Sequence, residues 1–113
     1  MLPGEYNIDK HYQGDTFVFP VFKLQVDDTT PYDLTDAAVK MVVRNSVRGA
    51  IIDSWSTPEN TITLVDAANG ELQPDDKIIN WPAGRYAYDI QVTKNNVVQT
   101  VVRGTWDIVE DVT

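Results

Sequence analysis

Every second residue from Arg85 to Thr93 is apolar or aromatic, and this alternation constrains the fold more than any other feature of the chain. The alternating side chains are Tyr86, Tyr88, Ile90 and Val92. A second run, Val97 to Val109, follows the dipeptide Asn95-Asn96, and in it Val98, Val102, Trp106 and Ile108 share one parity. A period of two is typical of a strand with one buried face, and Asn accepts the left-handed backbone of a two-residue turn. The sequence therefore predicts a β-hairpin over these two runs.

The rest of the chain repeats short β-rich runs separated by turn-forming clusters. Pro20 interrupts the first run, 16–26, and because proline lacks an N–H it predicts an edge, a bulge or a switch between sheets. Only 75–81 has room for one or two helical turns, which Pro82 would end. Seven to eight short strands in 113 residues predict an all-β fold, a single antiparallel β-sandwich that is Ig-like or related. We expect one domain over 1–113, with 1–13 as an N-terminal extension or first strand.

Composition excludes several classes of chemistry. Nine basic and 17 acidic residues give a net charge of −8, so we expect no nucleic-acid partner and no anionic membrane surface as a partner. The absence of cysteine excludes disulfides, thiolate nucleophiles and cysteine-ligated metals, and the single histidine, His11, excludes sites with several imidazoles in one subunit. The chain has no 18-residue apolar run and does not begin like a signal peptide, so we expect no export through a cleaved signal.

No catalytic motif accompanies this composition. The acidic clusters 27–28, 33–36 and 75–76 fall in predicted turns, and none has the Asp-x-Asp-x-Asp-Gly spacing of a calcium loop. Asp is common in turns for reasons of local hydrogen bonding, although a cation site in one of them stays open as the alternative. Phosphate-binding glycine loops and nucleophile elbows are absent from the sequence. We expect a non-enzymatic protein without cofactor or metal.

In several of the predicted strands, apolar side chains also occur at the alternate positions that should face solvent. Such residues on the outer face of a sandwich need a partner to cover them, whereas a bulge that shifts the parity would bury them. The set predicts a subunit interface made of Phe17, Phe19, Val42, Val97 and Val101. Trp55 and Trp81 lie beside turns and are candidates for a carbohydrate-stacking platform, the alternative being that they fill the core.

Four segments, taken in order, resemble a known class of β-sandwich. They are 14–17 (Gly-Asp-Thr-Phe), 32–41 (Tyr-Asp-Leu-Thr-Asp-Ala-Ala-Val-Lys-Met), 81–90 (Trp-Pro-Ala-Gly-Arg-Tyr-Ala-Tyr-Asp-Ile) and 102–108 (Val-Arg-Gly-Thr-Trp-Asp-Ile). This order is similar to that of small β-sandwich structural proteins of tailed bacteriophages, in particular the N-terminal domain of phage upper baseplate proteins. The resemblance covers residues 14–109.

The resemblance implies a function in assembly. It implies a structural component of a tailed-phage virion, in the tail baseplate, neck or connector, made in the bacterial host cytoplasm and located in the virion. Such a component acts through contacts with other virion proteins or as a homo-oligomer. The alternative is a carbohydrate-binding module that recognises a bacterial surface glycan through Trp55 or Trp81.

Overall fold

The chain folds almost entirely into β-strands. The structure, a computed structural model, describes residues 4–46 and 49–110, so both ends of the predicted domain 1–113 lie outside the described residues. The strands are β1 (Gly4–Glu5), β2 (Ile8–Tyr12), β3 (Thr16–Phe17), β4 (Phe22–Lys23), β5 (Ala38–Arg44), β6 (Ile51–Ser56), β7 (Ile62–Asp66), β8 (Glu71–Pro74), β9 (Lys77–Ile78), β10 (Gly84–Lys94) and β11 (Val97–Val109). A single turn of 3-10 helix spans Ala67–Asn69.

The predicted hairpin is confirmed and forms the centre of the main sheet. Strands β10 and β11 pair antiparallel from Gly84 opposite Ile108 to Lys94 opposite Val97. The turn residues Asn95 and Asn96 have φ of 53° and 64°, the left-handed conformation that Asn tolerates. On the other side of β10 the antiparallel strands β5 and β6 follow, which gives the order β1-β11-β10-β5-β6.

The N-terminal segment supplies β1 and β2, which both pair with β11 and run parallel to it. This parallel pairing is the one departure from the predicted antiparallel arrangement among the strands described. Between β1 and β2 a side chain continues the hydrogen bonding to β11: Asn7 Oδ1 accepts the Thr105 backbone N–H at 3.0 Å. A Cβ at Gly104 would lie 1.9 Å from the Tyr6 carbonyl oxygen. Glycine is therefore required for the N-terminal backbone to approach β11 this closely.

Smaller sheets cover the inner face of the main sheet. Strands β3 and β9 form one pair, and β4, β8 and β7 form a three-stranded antiparallel sheet. Pro20 lies between β3 and β4, so the prediction of a switch between sheets is confirmed. The described strands outnumber the seven to eight predicted because this run is divided and because 75–81 contains β9 instead of helical turns.

A cluster of aromatic rings fills the space between the layers. The centroids of Phe17, Trp81 and Phe19 lie 4.7, 5.0 and 5.6 Å from that of Trp106, which is fully buried. Edge-to-face and offset ring pairs of this kind add about 0.5–1.5 kcal/mol each to the stabilisation from burial. The all-β fold with packed antiparallel sheets agrees with the predicted β-sandwich.

Candidate contact surfaces and an outer-face groove

Three of the five predicted interface residues are buried in the described structure. Phe19 and Val101 are each 2% exposed and belong to the core, so the prediction that they face outward is wrong. Phe19 turns inward where the chain changes sheet at Pro20. Val101 turns inward because Ile90 pairs with Val102 while Gln91 pairs with Thr100, which leaves Val101 as the extra residue of a β-bulge.

Val42 and Phe17 are covered for different reasons. Val42 does lie on the outer face of the main sheet, in register with Ser54 and Asp89, but it is only 3% exposed and is no free apolar surface. Phe17 is half-buried and packs edge-on against His11 with ring centroids 5.1 Å apart. Neither residue offers the exposed apolar area that a subunit interface needs.

Val97 is exposed as predicted, and its neighbour Val98 joins it. The two side chains are 65% and 60% exposed directly after the β10–β11 turn. The predicted inward parity of Val98 is wrong, because the bulge at Val101 reverses the parity of the residues that precede it. The reversal gives Val97 the inner-face parity of Val92, and Val97 is exposed because it lies beyond Val92, the last buried residue of β10. On the edge of β11 that faces away from β10, no described strand pairs with Val97 and Val98, since the parallel pairing with β1 begins at Gly4 opposite Val102.

Trp55 and Trp81 have no ring face available for stacking on a sugar. Trp55 is fully buried, and its indole N–H donates to the Asp75 carbonyl at 3.1 Å. The Lys77 ammonium lies 4.3 Å from the Trp55 ring centroid, and Trp81 is 8% exposed within the aromatic cluster. The prediction of a stacking platform is therefore corrected: both residues fill the core, the alternative that the sequence had left open.

Two exposed apolar residues, Ile52 and Val65, are products of bulges that the sequence pattern does not reveal. In β6 the register passes from Val43 opposite Asp53 to Arg44 opposite Ile51, so Ile52 is the extra residue. In β7 the register skips Val65 in the same way. Both side chains lie at the surface.

A groove of about 530 Å³ lies on the outer face of the main sheet where β10 and β11 meet the N-terminal segment. Small side chains line it: Ala87 lies opposite Thr105, Gly104 is next to Thr105, and Thr100 lies on the same strand beyond the bulge. Charged side chains also line it: Glu5, Arg44, Asp89 and Arg103. Sequence reasoning missed this groove; its only signal is that small and charged residues replace apolar ones on the outer face of the hairpin.

Asp89 is the best buried charged group of the groove. Its Oδ2 lies 3.4 Å from the Arg44 guanidinium, while its Oδ1 is buried without a hydrogen-bond partner. Burial raises the pKa of Asp89, and the positive charge of Arg44 opposes this without cancelling it. Arg103 is directly opposite Asp89 in the ladder, and among the described residues it forms no ion pair within 4.0 Å.

The carboxylates of two turn aspartates accept hydrogen bonds from backbone N–H groups of the same turn. Asp27 Oδ1 accepts the backbone N–H groups of Thr29 and Thr30 at 2.9 and 2.8 Å, and these hydrogen bonds lower the pKa of Asp27. Asp33 accepts the Thr35 N–H at 2.9 Å in the same manner. Within residues 4–46 and 49–110, no group of three or more His, Asp or Glu side chains is arranged to hold a metal ion.

Comparison with protein-family models and with curated proteins finds no match for this sequence. The resemblance to phage baseplate domains therefore rests on the four sequence segments alone. In the described part of the chain, no helix has the length and apolar character needed to span a bilayer.

Proposed function

We propose that the protein is a non-enzymatic structural module of a tailed-phage virion, in the tail baseplate, neck or connector, and that it acts through protein–protein contacts. The exposed pair Val97 and Val98, at the end of the longest hairpin, carries the proposal. The two valines are successive residues of β11 and point to opposite faces of the hairpin, so both faces of its end carry an apolar side chain that is more than half exposed. Together with the edge of β11 that has no described partner strand, this end of the hairpin forms an association surface.

The residues that resemble the phage domains support a scaffold role rather than a reaction. Trp81, Tyr86, Tyr88 and Trp106 are all buried in the core. The Tyr88 hydroxyl donates to the Tyr6 carbonyl, and the Tyr86 hydroxyl donates to the Pro82 carbonyl at 2.5 Å. These aromatic residues thus build and tie the fold together, as expected of a module whose task is to present its surface.

The glycan-binding alternative lacks an observation in its favour. It depended on Trp55 or Trp81 as an exposed platform, and both rings are buried. We therefore do not propose it.

The oligomeric state of the purified chain tests the proposal. We expect concentration-dependent association near 100 µM, on the order of what a small apolar contact provides, measured by size-exclusion chromatography with light scattering. The double variant Val97→Lys/Val98→Lys should be monomeric with an unchanged melting temperature, because both side chains are exposed.

Val65→Lys is the matched control, since Val65 is an exposed strand valine in the sheet formed by β4, β8 and β7. It should associate like the wild type. A wild type that is strictly monomeric would overturn self-association through the hairpin end. Loss of association in Val65→Lys alone would indicate that the contact surface lies on the sheet formed by β4, β8 and β7.

A further inference from the structure

We propose that a second copy of the chain pairs antiparallel with the hairpin edge, the side of residues 97–101 of β11 that faces away from β10. The two main sheets then join about a twofold axis at Gln99. The inference rests on the proposed function, because it gives the association surface at the end of the hairpin its partner and its register.

The main chain of the hairpin edge is arranged for a further strand. The two residues that flank the Asn95-Asn96 turn form a hydrogen-bonded pair, and such pairs alternate along an antiparallel ladder. Val98 and Thr100 therefore direct their N–H and C=O groups away from β10, to the side where no described strand pairs with them. Farther along β11, the Arg103 carbonyl points to that side and accepts the Tyr6 N–H at 3.0 Å. The hairpin edge thus offers donors and acceptors that an antiparallel partner satisfies.

The exposed valines favour a partner at the edge over a partner on a face. Val97 and Val98 are 65% and 60% exposed and point to opposite faces of the hairpin. A protein placed against one face would cover only one of them. A strand at the edge lies beside both, because pairing about Gln99 sets Val97 opposite the partner's Val101 and Val98 opposite the partner's Thr100.

The distribution of charge selects a second copy as that partner. Lys94 is the only charged residue of 90–102, in a chain whose net charge is −8. Two copies therefore meet here with no acidic side chain on either strand, whereas most other approaches bring acidic surfaces together. The edge strands β6 and β7 are less suited, because each contains a bulge and an aspartate, Asp53 and Asp66 respectively. Bulges and charges of this kind hinder pairing between edges.

The length of the hairpin edge fits a twofold pairing. The Asn95-Asn96 turn limits it at one end, and β1 limits it at the other, where Gly4 lies opposite Val102. With Gln99 on the axis, residue 97 of each copy lies opposite residue 101 of the other, so the paired stretch uses the whole edge and stops before β1. Such an isologous contact closes on itself and does not grow into a fibre.

The test is disulfide cross-linking of single-cysteine variants of the full chain. The chain has no cysteine, so every disulfide formed joins two copies. In the proposed register Gln99 faces its own counterpart in a non-hydrogen-bonded pair, whose Cα atoms are about 4.5 Å apart, within the range that a disulfide spans. We expect Gln99→Cys to form the cross-linked dimer under mild oxidation at least about tenfold faster than the control variants, because contact raises the effective concentration of the two thiols.

Thr93→Cys and Val97→Cys are the matched controls. Thr93 is exposed in the same hairpin, but three strand spacings of about 4.8 Å separate it laterally from its counterpart. Val97 lies on the hairpin edge itself, but its counterpart is displaced by about 13 Å along the strand. The described hydrogen bond of the Gln99 side chain is a long one, 3.5 Å from the Tyr32 hydroxyl, so Gln99→Cys should keep the melting temperature of the wild type.

Two results would overturn the inference. If Gln99→Cys cross-links no faster than Thr93→Cys where the wild type associates, the edge is covered within one chain or the contact lies elsewhere. If Val97→Cys cross-links fastest, the copies pair in another register. Either result leaves self-association through the hairpin end standing, whereas a strictly monomeric wild type in the chromatographic test is the failure of the proposed association itself.

Discussion

Among the described residues, two buried side-chain atoms lack a hydrogen-bond partner, Asp89 Oδ1 and Trp106 Nε1. The indole of Trp106 is enclosed by aromatic rings, and ring faces are weak acceptors for an N–H group. The carboxylate of Asp89 has no such substitute, because its environment consists of small and charged side chains. One unpaired atom thus belongs to the packing of the core, and the other to a residue that lines the outer-face groove.

The opposite environments of Asp89 and Asp107 should separate their titrations. Burial raises the pKa of Asp89, whereas the hydrogen bonds from Arg85 lower the pKa of Asp107. In a carboxyl ¹³C NMR titration we expect Asp89 to titrate above the usual aspartate range and Asp107 below it. An Asp89 that titrates at or below the position of Asp107 would contradict the buried environment.

The same shift has a consequence for stability. Because the pKa of Asp89 is higher in the folded than in the unfolded state, the stability it contributes is present at low pH and is lost as pH rises through the folded pKa. We expect Asp89→Asn to have a higher free energy of unfolding than the wild type at pH 7 and the same value at pH 3. Urea denaturation at both pH values measures this. The groups that face Asp89 are Arg44, Arg103 and Glu5, and a decrease at pH 7 would mean that Arg44 outweighs burial.

At the level of strands, bulges decide which side chains reach the surface. The extra residue Val101 is buried, whereas the extra residues Ile52 and Val65 are exposed. The difference follows from location: Val101 belongs to a strand between two neighbours, whereas β6 and β7 each have a described partner strand on one side only. A bulge in an edge strand also hinders pairing with a second chain.

The contact between Gly104 and Tyr6 should be a sensitive point of the main sheet. We expect Gly104→Ala to destabilise the fold by about 1–3 kcal/mol, because its Cβ would lie 1.9 Å from the Tyr6 carbonyl oxygen. Hydrogen exchange should accelerate most at Tyr6, whose N–H donates to the Arg103 carbonyl at 3.0 Å. Thermal unfolding and exchange rates measure both effects.

Gly4→Ala is the matched control on the same pair of strands. A Cβ at Gly4 would be 3.7 Å from the Val101 carbonyl oxygen, an ordinary contact. We expect a change in stability within about 0.5 kcal/mol. Equal destabilisation by both variants would mean that added volume anywhere along this pairing is unfavourable and that the approach of Tyr6 is not special.

The sequence predicted what depends on local pattern. The alternation from Tyr86 to Val92 and the Asn95-Asn96 turn define a hairpin from neighbouring residues alone, and Pro20 marks the change of sheet by its missing N–H. The parity of Val98 and Val101 could not be predicted, because a bulge depends on the register with a partner strand. The burial of Trp55 could not be decided either, since it depends on the Asp75 carbonyl, which follows β8, and on the Lys77 side chain of β9. The groove at Asp89 requires the Asn7 segment, which is far away in sequence.

At the level of the whole molecule, a net charge of −8 opposes self-association, although the surface contains exposed valines. Like-charged subunits repel each other over the Debye length, which shrinks from about 30 Å at 0.01 M salt to about 3 Å at 1 M. An apolar contact between copies should therefore strengthen as salt screens the repulsion.

We expect the association of the wild type to increase steadily between low and high NaCl concentration, measured by sedimentation velocity. The variant Val97→Lys/Val98→Lys should remain monomeric throughout. Association that weakens with salt would instead indicate an interface held by ion pairs.

The parallel pairing of the N-terminal strands with β11 affects how the protein is made. Asn7 and Thr105 are hydrogen-bonded although 98 positions separate them, so β1 and β2 leave the ribosome long before their partner strand exists. During translation these strands have unpaired edges, and the main sheet closes only after β11 has emerged. Completion of the main sheet, and with it of the groove beside Asp89, is thereby tied to the synthesis of β11: a nascent chain that stalls before β11 lacks the Arg103 wall of the groove.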